Sequence, residues 1–444
     1  MGKSLDVCGP VRPGLLLAAL LGAALACTGC ALASSPGAAP ARAGPHFLDP
    51  AASVQRVLEL EQERLALMPA VAAWKWRHRA PVYDPARESA VSEAAERLGA
   101  PLGLSGAPLA RLFGLQVRLA RTEETALERR WHARGYDFRG RVGSLTTQIR
   151  PRLDRLTREL LAAIYLAAPA LARPRFASRY APAAARILSG DGWSAASRRA
   201  LLEALGRIRL RAVPALERID AARVLRIGTT GDYAPFSADV RGRLQGVDIE
   251  LARDLARRLG ARPVFVRTTW PTLLEDLRRD AFDVALGGIS ATRTRAAAAA
   301  LSVPYLASGK TLIARCRDAG RFGSLADVDR PGVRVIVDPG GTNERYVRTH
   351  LHRARILVHR GNESLFGALV AGRADVMITD DVEVAWQTRR HPQLCRTLPG
   401  TLTRSEKVIL MTRDPALEVA VNAWLRGEIA AGVPSGLLKK ALSP

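Results

Sequence analysis

A chain of 444 residues with a formal net charge of +24 is too long for one compact core, and two domains are expected. Only six of its 66 basic residues are Lys, the Arg are spread along an Ala-rich background, and aromatic residues make up 5%, a pattern that argues against nucleic acid as a partner. The charge favours small anionic substrates instead.

Lys3 and Arg12 precede an apolar run from Gly14 to Ala26, and Ala31-Leu-Ala33 supplies a small-x-small site before Ser34, so residues 1–33 are expected to be an export signal. That run is shorter than the roughly 20 residues a membrane helix needs, and no later run is long enough. Thr28-Gly-Cys30 also permits cleavage before Cys30 and lipid attachment there, although Cys27 stands where an aliphatic residue is usual. Either reading exports the protein, to the periplasm or beyond. Cys8, Cys27 and Cys30 leave with the signal or its cleavage site, and Cys316 and Cys395 remain. An even number in an oxidising compartment predicts a disulfide between them, with two buried thiols as the alternative.

Residues 34–45 are small and Pro-rich, a flexible lead-in. From 46 to 210 apolar residues recur at three- and four-residue steps, predicting helices over 54–79, 86–98, 109–134 and 145–166 and no convincing strand. Arg64 and Lys75 then lie three helical turns apart on one face, about 16 Å along the axis, with Pro69 between them predicting a kink. Arg87, Glu124 and Arg150 follow on later segments. Spacing alone favours a solvated Arg-rich surface over a binding site.

After Val213 short strands alternate with helices: 224–228, 263–267, 283–286, 333–337 and 375–378 read as strands and 249–259 as a helix. Asp283-Val-Ala-Leu and Asp375-Val-Met-Ile are alike in pattern, which predicts two related lobes with a cleft between them. Ligands of such sheets sit beyond the carboxyl ends of the strands, where Asp232, Trp270, Ser290, Thr342 and Asp380 fall. Arg295 can fork onto a carboxylate, Gly340-Gly341-Thr342 offers free N–H groups before a helix, and Trp270 offers a flat face to a six-membered ring. His350 and His352 lack companions for a metal site, and the glycines at 228 and 231 form no nucleotide loop, so no metal or cofactor is expected.

Val71-Ala-Ala-Trp-Lys75-Trp-Arg-His, Ala80-Pro-Val-Tyr-Asp84-Pro-Ala-Arg87, and Phe113-Gly-Leu-Gln116 leading to Glu124 resemble the secreted, all-helical class of chorismate mutases over residues 46 to about 170. The resemblance implies that Arg64 and Arg150 hold carboxylates, Lys75 meets the ether oxygen and a carboxylate, Arg87 completes the cationic wall, and Glu124 bonds the ether oxygen. That last bond requires a protonated Glu124, so activity should decline as pH rises. Ala120 stands where the family has Thr or Ser, Val91 where some members have Gln, and the domain lacks the Cys pair of some members.

Gly228-Thr-Thr-Gly-Asp232-Tyr233-Ala-Pro-Phe236, Thr269-Trp270-Pro271, Gly287-Gly-Ile-Ser290, Pro304 to Thr311, Asp338-Pro-Gly-Gly341-Thr342-Asn-Glu344 and Thr379-Asp380-Asp-Val-Glu383 are similar to cyclohexadienyl dehydratases over about 212–444. The resemblance implies a periplasmic solute-binding fold acting on prephenate or arogenate. Glu383 would be the general acid, Lys310 its helper, and Asp232, Tyr233, Trp270, Ser290, Arg295, Gly341, Thr342 and Asp380 the substrate contacts. Asp338 replaces the family's Asn, an added negative charge that bears on prephenate against arogenate.

The expectation is therefore an all-α chorismate mutase domain, 46–210, followed by an α/β bilobate dehydratase domain, 211–444. Its partners are the small-molecule substrates, and a homodimer is compatible with the chain. The rival is a periplasmic solute receptor with a helical partner-binding domain.

Overall fold

The computed structural model describes residues 46–104, 106–136 and 142–443. The expected export signal, its lipoprotein alternative at Cys30 and the lead-in of residues 34–45 lie outside the described residues.

Among the described residues, eight α-helices come first. Asp49 caps α1 (Pro50–Leu65), its carboxylate accepting from Ala51 N at 2.8 Å, with Pro50 preorganising the first turn. Val54, Val57, Leu58, Leu60 and Glu61 form the buried face of α1. The chain then breaks at Ala66–Leu67 and resumes as α2 (Met68–Arg77). The expected single helix over 54–79 is thus two helices, because Pro69 fits only a first turn and lacks the N–H that a continuous helix would use. Arg64 and Lys75 do not share one helical face. Asp84 and Pro85 start α3 (Pro85–Gly99), and α4 (Ala107–Ala133) is the longest helix of the described residues. A π turn over Leu145–Ile149 leads into α5 (Arg150–Leu171), whose buried face includes Leu156, Leu160, Leu161 and Ile164. Helices α6 (Phe176–Ile187), α7 (Ala195–Gly206) and α8 (Ala215–Ala222) follow.

The α/β half carries two five-stranded sheets. One orders Arg262–Arg267, Val224–Thr229, Val284–Ala285, Leu410–Met411 and Ala300–Leu301; the other Arg355–Val358, Arg334–Val337, Val376–Asp380, Lys310–Arg315 and Leu394–Arg396. In each sheet the first three strands run parallel and the next pairs antiparallel. The lobes repeat one clasp. Asp283 accepts from the backbone N of Arg226 at 2.9 Å and from its guanidinium at 2.7 and 3.3 Å; Asp375 accepts from Arg334 at 2.9, 2.7 and 3.1 Å. A two-stranded ribbon, Leu306–Ser308 with Ser405–Lys407, lies where the chain passes between the lobes. Cys316 and Cys395 are joined by a disulfide beside the outer strand of the second sheet.

The two halves pack on each other. Val224 and Val264 of the first sheet belong to the apolar cluster of the helices. Tyr165 of α5 is buried beneath the guanidinium of Arg226, 4.8 Å from ring centre to Cζ. Leu48 N donates to Phe265 O at 2.7 Å, extending the edge of that sheet with the chain that precedes α1.

Candidate active sites

Helices α1 to α5 enclose a cavity of about 440 Å³, within the range of small-molecule sites. Arg64, Lys75, Arg87, Glu124 and Arg150, drawn from five different helices, all line it. Lys75 Nζ donates to Glu124 Oε2 at 2.7 Å and to Val82 O at 3.0 Å. Burial nevertheless raises the Glu124 carboxyl above its ordinary range, outweighing the opposing pull of Lys75, and Glu128 and Glu88 push the same way. Arg64 is held from two sides: Nε donates to Gln116 Oε1 at 3.1 Å, and Nη1 to Leu153 O at 3.2 Å and Thr157 Oγ1 at 2.5 Å. Glu61, Asp154, Thr157 and Arg158 also line the cavity and were missed from the sequence, where nothing separated them from other polar helix residues.

The second site lies between the lobes. Tyr233, Trp270, Ser290, Arg295, Gly341, Thr342 and Asp380 surround a space of only about 30 Å³, room for at most a few waters. The cleft is shut. Tyr233 Oη donates to Asp380 at 2.5 Å, Asn362 Nδ2 to Asp232 O at 3.2 Å and Arg345 to Thr294 Oγ1 at 3.3 Å, each bond crossing from one lobe to the other. Gly340, at φ +83°, sits so close to Pro271 that a Cβ there would lie 2.6 Å from it.

Asp380 is the electrostatic centre. Its carboxylate accepts from Lys407 Nζ at 2.5 Å, Lys310 Nζ at 3.3 Å and Tyr233, and although burial opposes ionisation, the two ammonium groups hold it well below the usual range. Lys310 also donates to Thr342 Oγ1 at 3.1 Å and Asn343 Oδ1 at 2.5 Å. Lys407 is fully buried and donates as well to Gly288 O at 2.9 Å and Ser290 Oγ at 3.1 Å, so its one ammonium ties both lobes together. Arg295 stacks near Trp270 and donates to Ser290 O at 2.7 Å; burial first, then the charge of Arg345, lowers it to about 10. Two guanidinium groups placed near one another in this way suit an incoming carboxylate.

Glu383, in the first turn of the helix Asp381–Arg390, is fully buried and stands behind the cavity wall. Its carboxyl accepts from Asn362 Nδ2 at 2.5 Å and from Thr379 Oγ1. Burial pushes it up to about 8, with the charges of Asp380 and Asp232 acting in the same sense against those two hydrogen bonds. Asp232 and Lys310 likewise adjoin the cavity without lining it, and one Asp232 oxygen is buried with no partner among the described residues. Asp338 does line it, pushed up to about 6 by burial and then by Asp232 and Glu344.

Residues 225–440 match the Bacterial extracellular solute-binding proteins, family 3, and residues 55–125 match Chorismate mutase type II. The cyclohexadienyl dehydratase of Pseudomonas aeruginosa is 44% identical over 229 residues, 51% of this chain and 84% of that protein. The histidine-binding periplasmic protein of Salmonella typhimurium is 30% identical over 228 residues, 49% of this chain and 86% of its own. A solved ancestral amino-acid-binding protein, described as a precursor of cyclohexadienyl dehydratase, aligns over 51% of this chain and 99% of its own at 31% identity and a TM-score of 0.49. The chain belongs to the cyclohexadienyl dehydratase family and carries a chorismate mutase type II domain ahead of that half.

Proposed function

We propose that the protein is a bifunctional enzyme: residues 46–210 rearrange chorismate to prephenate, and residues 211–444 convert prephenate to phenylpyruvate, with arogenate to phenylalanine as a parallel reaction of the second site. The rearrangement needs no nucleophile, only a compact substrate conformer and positive charge where the ether bond breaks. Arg64, Arg87 and Arg150 supply carboxylate contacts, and Lys75 with a protonated Glu124 supplies donors to the ether oxygen. In the second site Arg295 takes a carboxylate and Trp270 faces the ring. Glu383 gives its proton to the ring hydroxyl as the C–O bond breaks, and the electrons of the leaving carbon dioxide complete the aromatic ring. Admission of substrate parts the lobes and breaks the Asn362–Asp232 bond, while Asn362 and Thr379 stay with Glu383 on one lobe. An export signal over residues 1–33 and work in the periplasm go with this reading.

One observation carries the enzyme over the receptor: a fully buried carboxyl held up to about 8 beside a cleft whose other carboxylate, Asp380, is already paired with two lysines. A receptor for an ammonium-bearing ligand gains from free carboxylates and has no use for a protonated one. Glu383→Gln is the test. Given chorismate, this variant accumulates prephenate and forms phenylpyruvate at least about 100-fold more slowly, the usual weight of a general acid. Formation at the parental rate removes Glu383 from the role.

A further inference from the structure

We propose that Glu61, held beside Arg64 by the Gln116 amide that bridges them, is a positioning residue of the helical site whose charge sets how much positive charge Arg64 presents to a substrate carboxylate. This rests on reading that cavity as the mutase site.

Glu61 lies one turn before Arg64 on α1, is 2% exposed and forms part of the cavity wall. Gln116 of α4 bridges the two: its Nε2 donates to Glu61 Oε1 at 2.8 Å, and its Oε1 accepts from Arg64 Nε at 3.1 Å. An amide has only one way to make both bonds, so Glu61 fixes which face Gln116 turns to Arg64. The contacts to Gln116, Leu153 and Thr157 engage Nε and Nη1 of Arg64, and the Nη2 protons are the ones a carboxylate would take.

The bridge holds in either protonation state of Glu61, whereas the charge does not. Neutral, Glu61 leaves the Arg64 charge undiminished; ionised, it offsets that charge within a desolvated wall. The other ionisable groups of that wall are Lys75 on α2, Asp84, Arg87, Glu88 and Arg97 at or on α3, Arg121 and Glu124 on α4, and Arg150, Asp154 and Arg158 on α5. Burial pushes the Glu61 carboxyl up to about 7, against the charge of Arg64 and the bond from Gln116. The site therefore binds its dianion less tightly as pH rises through neutrality.

The sensitivity falls on binding, which separates Glu61 from Glu124, whose proton acts on the breaking bond and so on kcat. The test compares the intact parent enzyme with Glu61→Gln between pH 6 and 8, reading KM and kcat for chorismate, and the Kd of isophthalate as a dicarboxylate probe that needs no turnover. In the parent, KM and Kd rise about five- to tenfold, the weight of one partly screened charge. In Glu61→Gln both stay low and flat while kcat keeps its parental pH profile. Parental pH dependence of KM and Kd in Glu61→Gln, or a loss confined to kcat, overturns the proposal. A parent that binds isophthalate with the expected pH dependence yet never consumes chorismate upholds the electrostatic link and refutes the mutase reading instead.

Discussion

The proposed mechanism asks one carboxyl of each site to stay protonated among charges that differ. The Glu124 carboxyl is raised although Lys75 touches it, because burial costs the carboxylate more than one partly exposed ammonium returns. Glu383 is pushed up to about 8, where Asp380 and Asp232 add repulsion to burial. A general acid works only while protonated, so the dehydratase kcat should be level below about pH 8 and fall roughly tenfold per pH unit above it. A profile level to pH 10 contradicts this. Lys407 makes a second prediction. Lys407→Met removes the closest cationic partner of a buried carboxylate and should cost about 3–5 kcal/mol in the stability of the bilobate half, with loss of dehydratase activity. Denaturation at the parental midpoint would show that Asp380 does not depend on it. Lys407 also marks what could have been read and was not: in a chain that uses Arg for nearly every cation, Lys75, Lys310 and Lys407 are three of only six lysines. Each needs a compact ammonium where a planar fork would not fit. By contrast Glu61 and Asn362 carry no such mark, because their roles come from partners 55 and 21 residues away.

Among the elements, periodicity located α3, α4 and α5 to within about five residues, and five of the six parallel strands; Arg355–Val358 went unread. It failed where a local rule outweighed the pattern, at Pro69, and where strands are two or three residues long. Ala300–Leu301 and Leu410–Met411 are too short to show an alternation, and tertiary pairing alone makes them strands. The likeness of Asp283 and Asp375 was visible in sequence, and its cause is now plain: each clasps an Arg one strand away and fixes the helix-to-strand corner of its lobe. The disulfide acts on the second lobe only. It closes a loop with a sequence separation of 79 residues, worth about 4–5 kcal/mol in the chain-entropy model. Reduction should therefore lower the midpoint for loss of dehydratase activity and leave that of mutase activity in place. Equal shifts in both would contradict a contribution confined to that lobe.

The whole molecule joins a cavity already open to ligand with a cleft already shut. The helical cavity of about 440 Å³ can admit a substrate as it stands, whereas the 30 Å³ between the lobes cannot. The second reaction thus includes an opening step that the first lacks, and the strands Leu306–Ser308 and Ser405–Lys407 are where the chain would bend. Lys407, on one of them, is placed to feel that motion. The halves are not beads on a string: Tyr165, Val224 and Val264 are buried between them, contacts that motif spacing along a chain does not reveal.

The most direct measurement supplies chorismate alone to the purified full chain and follows chorismate, prephenate and phenylpyruvate together. A bifunctional enzyme consumes chorismate, passes prephenate through a transient, and forms phenylpyruvate and carbon dioxide in equal amounts without added metal or cofactor. Chorismate left intact, or prephenate bound and released unchanged, would contradict this.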